Sequence, residues 1–170
     1  MRYRRAFVPG GSFFFTLVTA GRRPVLQSKQ AIETLREAFR RVASKRPFSI
    51  DAIVILPDHL HCIWTLPPGD SDFSTRWRLV KTWLSKHHDE NRRQGSGCEA
   101  WQNRFREHSL RDETDVIRHF EYIHSNPVKH RYVTAPGHWP DSSFHRFVRD
   151  GLYPADWEDS GMDLDGVERE

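Results

Sequence analysis

"FSIDAIVILPDHLHCIWTLP", residues 48 to 67, decides the fold. Residues 48–57 form an apolar, β-branched run, Pro57-Asp58 supplies a tight turn, and "HLHCIWTLP" returns as a second apolar run. The stretch therefore reads as an antiparallel hairpin. Side chains alternate across a strand, so Leu60, Cys62, Trp64 and Leu66 share one face while His59 and His61 emerge together on the other, where they are expected to be exposed. Two neutral imidazoles at that spacing can converge on one divalent ion and leave room for a third protein ligand and for substrate oxygens. With ten histidines in 170 residues, chance alone gives about 0.6 His-x-His triplets in such a chain. What distinguishes this one is its place directly after a turn, with its apolar neighbours in the opposite register.

Working outward, "GGSFFFTLVTAG" (10–21) predicts a strand over about Ser12 to Thr19. A helix follows, with Ile32, Leu35, Phe39 and Val42 at helical spacing, Ser28 as cap and Pro47 beyond its end. Residues 72–93 predict a second helix, placing Phe73, Trp77, Val80 and Leu84 on one face while Arg76, Lys81 and Lys86 point elsewhere. Residues 94–99 read as a loop, and 101–111 as a strand or an irregular basic segment. "RDETDVIRHFEYIHSNP" begins with acids suited to a helix N-terminus and is expected to stop at Asn126-Pro127, where the pre-proline restriction acts. The order β-α-β-β-α-(β)-α predicts an α+β domain in which helices cover one face of a small antiparallel sheet and leave the other free for chemistry. One domain is expected over residues 1–157, with 158–170 as an acidic, flexible tail.

Composition supports a folded chain: 37% hydrophobic and 29% charged residues, six tryptophans and eleven phenylalanines supply ample apolar volume. Cys62 and Cys98 match no metal-ribbon or disulfide framework, which points to a reducing cytoplasm. No secretory signal and no run of eighteen apolar residues occurs, so a soluble protein without a membrane partner is expected. The formal charge of +3 conceals an asymmetry. Residues 155–170 hold seven acids and one arginine, net −6, so the first 154 residues carry +9. Such a body suits a polyanion, nucleic acid first.

In the third predicted helix, Val116, Ile117, Phe120 and Ile123 form the apolar stripe. Tyr122 lies about 150° from its centre, with Asn126 almost directly beneath and His119 alongside. A surface tyrosine and an asparagine ending the helix would account for both. Joined to the histidine pair they read differently. A phenol, with a free pKa near 10, needs a nearby cation and an electrophile held in line before it can act as a nucleophile. A metal on His59 and His61, with Asn126 as third ligand, would provide that.

"PDHLHCIW", "EYIHSNPVKH", "GGSFFFTLV" and "SSFHRFVRDGLYPADW" together resemble the REP-associated tyrosine transposases, single-tyrosine HUH nucleases related to small insertion-sequence transposases, over about residues 3–157. The resemblance implies a ferredoxin-like fold with the HUH site on its central strands. It implies Tyr122 as nucleophile and a Mg²⁺ or Mn²⁺ ion on His59, His61 and Asn126. Many insertion-sequence relatives carry glutamine at the last position. The implied activity is a single-stranded DNA endonuclease and strand transferase acting at the foot of a repetitive extragenic palindrome (REP) hairpin, through a 5′-phosphotyrosine, by a monomer with its site in cis. Beyond the site, Arg2, Tyr3, Arg4 and Arg5 suit a phosphate track with a stacked base, and Arg76, Lys81, Lys86, Arg104 and Arg106 suit the hairpin stem. Two other readings are a hairpin-binding protein without cleavage and a metal-dependent hydrolase of a small substrate, the latter opposed by the charge of the body.

Overall fold

A computed structural model of the chain describes residues 11–88 and 100–159. Among them the chain runs β1 (Ser12–Val18), α1 (Lys29–Lys45), β2 (Ser49–Ile55), β3 (His59–Thr65), α2 (Phe73–His87), β4 (Arg106–Ser109), α3 (Glu113–Lys129) and α4 (Phe144–Arg149). The strands form one sheet in the order β2-β3-β1-β4, every neighbouring pair antiparallel. That is the ferredoxin-like arrangement. The hairpin closes as expected, Leu56 N–H donating to the His59 carbonyl at 2.8 Å across Pro57-Asp58. Ser28 caps α1 by accepting from Ala31 N–H at 3.1 Å. Of the ambiguous basic segment 101–111, Arg106–Ser109 is a strand, β4, and the residues before it are irregular, while Arg2, Tyr3, Arg4 and Arg5 lie outside the described residues, as does the tail beyond Asp159.

Each face of the sheet has its own core. Phe13, Phe15, Leu17, Leu60, Cys62 and Trp64 pack beneath α1 and α2, where the Trp64 and Trp77 rings stack 3.9 Å apart. The opposite face was expected to be free, and it is not. Phe14, Ala52, Val54 and Ile63 alternate onto it and are roofed by Val116, Phe120, Tyr122 and Ile123 of α3 and Phe144 and Phe147 of α4. The physical reason is that β1 and β2 are apolar at both alternations, and a strand with two apolar faces needs cover on both.

The roofing helix also runs further than the proline suggested. Pro127 lies inside α3, which continues to Lys129 and is finished by His130 N–H donating to the Asn126 carbonyl at 3.0 Å. Burial on both sides compensates for the bond that Pro127 cannot make: every residue from His119 to Pro127 is buried. His124, at the centre of this segment, fastens the helix to the C-terminal wrap. Its Nε2 lies 2.8 Å from Ser143 Oγ and its Nδ1 3.2 Å from the Tyr153 hydroxyl. Ser143 Oγ in turn accepts from Ile53 N–H of β2 at 2.9 Å.

Burial holds the His124 imidazole neutral, its pKa lowered to about 3, with Arg146 and His145 adding repulsion. In the unfolded chain the same ring takes up a proton near its ordinary value of about 6.5, so the unfolded state binds more protons throughout that interval. This contribution to stability is complete above about pH 6.5 and lost as pH falls toward 3, by roughly 4–5 kcal/mol in all. Urea midpoints measured from pH 7 to pH 4 should fall steadily, and His124→Gln should flatten the slope.

Arg76 does not serve as a surface cation. It is 1% exposed. Its guanidinium donates to the carbonyls of Arg46, Pro47 and Asp72 and makes a forked ion pair with Asp70 at 2.7 and 3.2 Å. Its donors are committed to tying the end of α1 to the start of α2, which excludes the phosphate contact expected for it. Arg76→Met strands three carbonyls and should lower stability by about 3 kcal/mol, read as a shift in urea midpoint.

Candidate active site between the histidine pair and the tyrosine helix

His59 and His61 share one face of β3, as the alternation requires, but they are 1% and 0% exposed because α3 covers them. Their rings lie 5.1 Å apart at 80°. Each ring is held at Nδ1. For His61 the partner is Thr16 Oγ1 at 2.8 Å, directly across the β1–β3 ladder. For His59 it is Asp58 Oδ1 at 2.6 Å. With Nδ1 held from behind, Nε2 of each ring is the nitrogen a metal ion would take, the orientation usual for metal-binding imidazoles. Burial alone would raise the Asp58 pKa, but hydrogen bonding to His59 and the Arg22 guanidinium at 3.3 Å hold it below its usual range. The orienting group is a carboxylate.

Asp58 and Thr16 were not identified from the sequence. Asp58 was read only as a turn residue, although a carboxylate beside a histidine was visible. Thr16 carries no such signal, because its role depends on the β1–β3 register.

From above, α3 brings Tyr122 onto the pair. Its ring lies 5.1 Å from that of His61 at 74° and 5.9 Å from Phe14 at 79°. Tyr122 and Asn126 do share a helix face, but it is buried, at 2% and 1% exposure, not solvent-facing. Among the described residues, neither amide atom of Asn126 finds a hydrogen-bond partner. A buried unpaired amide costs about 1–3 kcal/mol per group, and a metal ion taking its oxygen would offset that cost. With two imidazole nitrogens that oxygen makes a donor set that fits a divalent ion.

The extra turn of α3 adds two groups. The Lys129 ammonium sits 5.1 Å from the centre of the Tyr122 ring. The His130 ring lies 4.9 Å from that of His59. An end at Asn126 would have removed both. His119 faces Phe14 at 4.6 Å and belongs to a separate group with His108 and Asp115 that could hold a metal ion.

The remaining basic residues divide by position. Arg106 pairs with Thr16 across the β1–β4 ladder, which puts it on the site's face of the sheet. Arg104 is exposed. Lys81 and Lys86 line a cleft of 390 Å³ together with Arg78, Trp101 and Phe105. There the Lys81 ammonium donates to the Gln102 carbonyl at 2.8 Å and lies 5.4 Å over the Phe105 ring.

Residues 11–126, which span the sheet and end at Asn126, match the family described as Transposase IS200 like. A REP-associated tyrosine transposase of Escherichia coli strain K12 is 45% identical over 168 residues, covering 98% of this chain and 96% of its own. The chain belongs to the REP-associated tyrosine transposases. A relative of this transposase in Haemophilus influenzae is 39% identical over 162 residues, covering 91% of this chain and 92% of its own. Among solved structures, a REP-associated tyrosine transposase bound to a REP hairpin superposes with a TM-score of 0.80 at 44% identity, covering 96% of this chain and 94% of the other. A Deinococcus radiodurans protein at 17% identity and a TM-score of 0.51, covering 69% of this chain and 92% of its own, shares the fold. No described helix of the transposase is long and apolar enough to cross a membrane.

Proposed function

We propose that this transposase cuts and rejoins single-stranded DNA at the foot of REP-type hairpins, with Tyr122 as nucleophile and His59, His61 and Asn126 as ligands of Mg²⁺ or Mn²⁺. The observation that carries the reading is the Tyr122 ring lying 5.1 Å from His61 within one chain. It supports a site assembled in cis by a monomer. The relative solved with a REP hairpin supports the choice of substrate.

Tyr122 Oη attacks the phosphorus, and the new O–P bond forms as the P–O3′ bond breaks. The phenol proton ends on the departing 3′ oxygen. The products are a 5′-phosphotyrosine and a free 3′-hydroxyl, and rejoining reverses the step. When bound, the ion supplies positive charge for the phosphate and the departing oxygen. The chain's own residues do the rest. Thr16 and Asp58 orient the imidazoles, and Phe14 holds the Tyr122 ring edge-on. The Lys129 ammonium adds positive charge beside a phenol that must lose its proton. Arg106, on the same face, and Arg104 suit the adjoining phosphates, Lys81 and Lys86 suit strand phosphates at their cleft, and Arg2, Tyr3, Arg4 and Arg5 remain candidates for the arm.

The deciding experiment incubates the full chain and Mn²⁺ with a hairpin that carries a 5′ flank and is labelled at its 3′ end. A denaturant-resistant adduct should retain the label while the released flank ends in a 3′-hydroxyl, and chelation should prevent both. Hairpin binding without an adduct would replace cleavage by the non-catalytic reading.

A further inference from the structure

We infer a cation site distinct from the histidine pair, at the junction of β4 and α3, formed by His108, Asp115 and His119 and suited to Zn²⁺ or a similar transition-metal ion. One ligand atom from each residue lies within 4.8 Å of the others. His108 Nε2 is 2.9 Å from Asp115 Oδ2, and His119 Nδ1 is 3.3 Å from Asp115 Oδ1. The two rings lie nearly parallel, 5.0 Å apart at 15°. With metal–ligand bonds of about 2.0–2.2 Å, tetrahedral ligands stand roughly 3.3–3.6 Å from one another. The three groups therefore need only small shifts to close on an ion.

Two imidazole nitrogens and one carboxylate oxygen are ligands that zinc favours, whereas Mg²⁺ prefers oxygen throughout. The exposure is graded. The His119 side chain is 5% exposed, that of Asp115 12% and that of His108 39%, so one side of the cluster is open to entering ions and to a water ligand. Without an ion the groups satisfy one another: His108 bonds the carboxylate, and His119 Nδ1–H donates to the Asp115 carbonyl at 2.7 Å. Binding exchanges these bonds for coordination, each neutral imidazole keeping its one proton on the nitrogen that faces away from the ion.

The position links the site to the tyrosine. His108 is the cross-strand partner of Phe14, and the Phe14 ring contacts His119, His61 and Tyr122 at 4.6, 5.7 and 5.9 Å. His119 precedes Tyr122 by three residues on α3. An ion here would pin α3 to β4 just before the turn that carries the phenol, and so fix its height above the histidine pair.

The test is a Co²⁺ titration of the full chain, followed by visible absorption, with Zn²⁺ as competitor. A His59→Gln/His61→Gln variant should still bind one equivalent of Co²⁺ and release it to Zn²⁺. Adding His108→Gln, whose amide can still donate to Asp115, should weaken that binding by at least about 100-fold, with the far-UV circular dichroism unchanged. In the otherwise unaltered protein, His108→Gln alone should lower the stoichiometry from two ions to one and reduce the rise in Tm produced by Zn²⁺, so the test does not depend on the pair-deleted variant folding. Unchanged binding and an unchanged Zn²⁺ response in His108→Gln would overturn the inference. Equal stoichiometry before and after removal of the histidine pair would instead overturn the ion at that pair, so the two failures are distinguishable.

Discussion

Tyr122→Phe should bind the hairpin within about twofold of the unaltered protein and lose covalent adduct formation by at least ~10⁴-fold, the scale expected when the proposed nucleophile is removed. The substitution deletes one oxygen. The ring that packs edge-on against His61 and Phe14 is retained, so the packing of α3 on the sheet is preserved. Gel mobility under native and denaturing conditions, on one set of samples, reads both quantities. Tyr132 and Tyr153 are controls of different kinds. Tyr132 is 44% exposed at the end of the helix, and Phe there should change neither quantity. Tyr153 is buried beside His124, where burial raises its pKa and removes it from acid–base chemistry, so Phe there should cost stability and leave the adduct intact. A residual adduct in Tyr122→Phe that maps to another tyrosine would end the assignment.

The second large effect is expected from the histidine pair and its supports, which should separate by their response to Mn²⁺. His61→Ala removes one of the two imidazoles proposed to hold the ion, so cleavage should fall by about 10³-fold or more at every Mn²⁺ concentration. Thr16→Val keeps the shape of the side chain but removes the hydroxyl that holds His61 Nδ1. It should raise the half-saturating Mn²⁺ concentration by about 10–100-fold, the usual cost of losing a partner behind a ligand. The rate at saturation should recover to within a few-fold. A Thr16→Val enzyme with normal Mn²⁺ dependence and a depressed saturated rate would show that the threonine acts on something other than the ligand. Asp58→Asn leaves an oxygen in place to bond His59, so it should raise the half-saturating Mn²⁺ concentration less than Thr16→Val does.

The parts of the site legible in the sequence were those governed by local periodicity. The strand alternation placed His59 and His61 together, and the helical angle separated Tyr122 from the Val116/Phe120/Ile123 stripe and set it above Asn126. Local reasoning failed where a distant contact outweighed a local preference. Pro127 was read as a stop, yet α3 is packed on so many sides that the missing hydrogen bond did not end it, and Lys129 and His130 reach the site as a result. Arg76 was read as a surface cation because lysines and arginines on helices usually are. Here the end of α1 presents carbonyls that only a long, forked donor can satisfy.

By itself the sequence determined the hairpin, the N-terminal cap of α1 and the shared face of the two imidazoles, because each follows from spacing along a few residues and from side-chain geometry that every strand or helix imposes. The tertiary structure alone decided that the second face of the sheet is roofed, that Thr16 stands behind His61, and that His108 meets Asp115 and His119. Those meetings depend on which strand lies beside which, a choice made by burying apolar surface between segments tens of residues apart, and no local period in the chain records it.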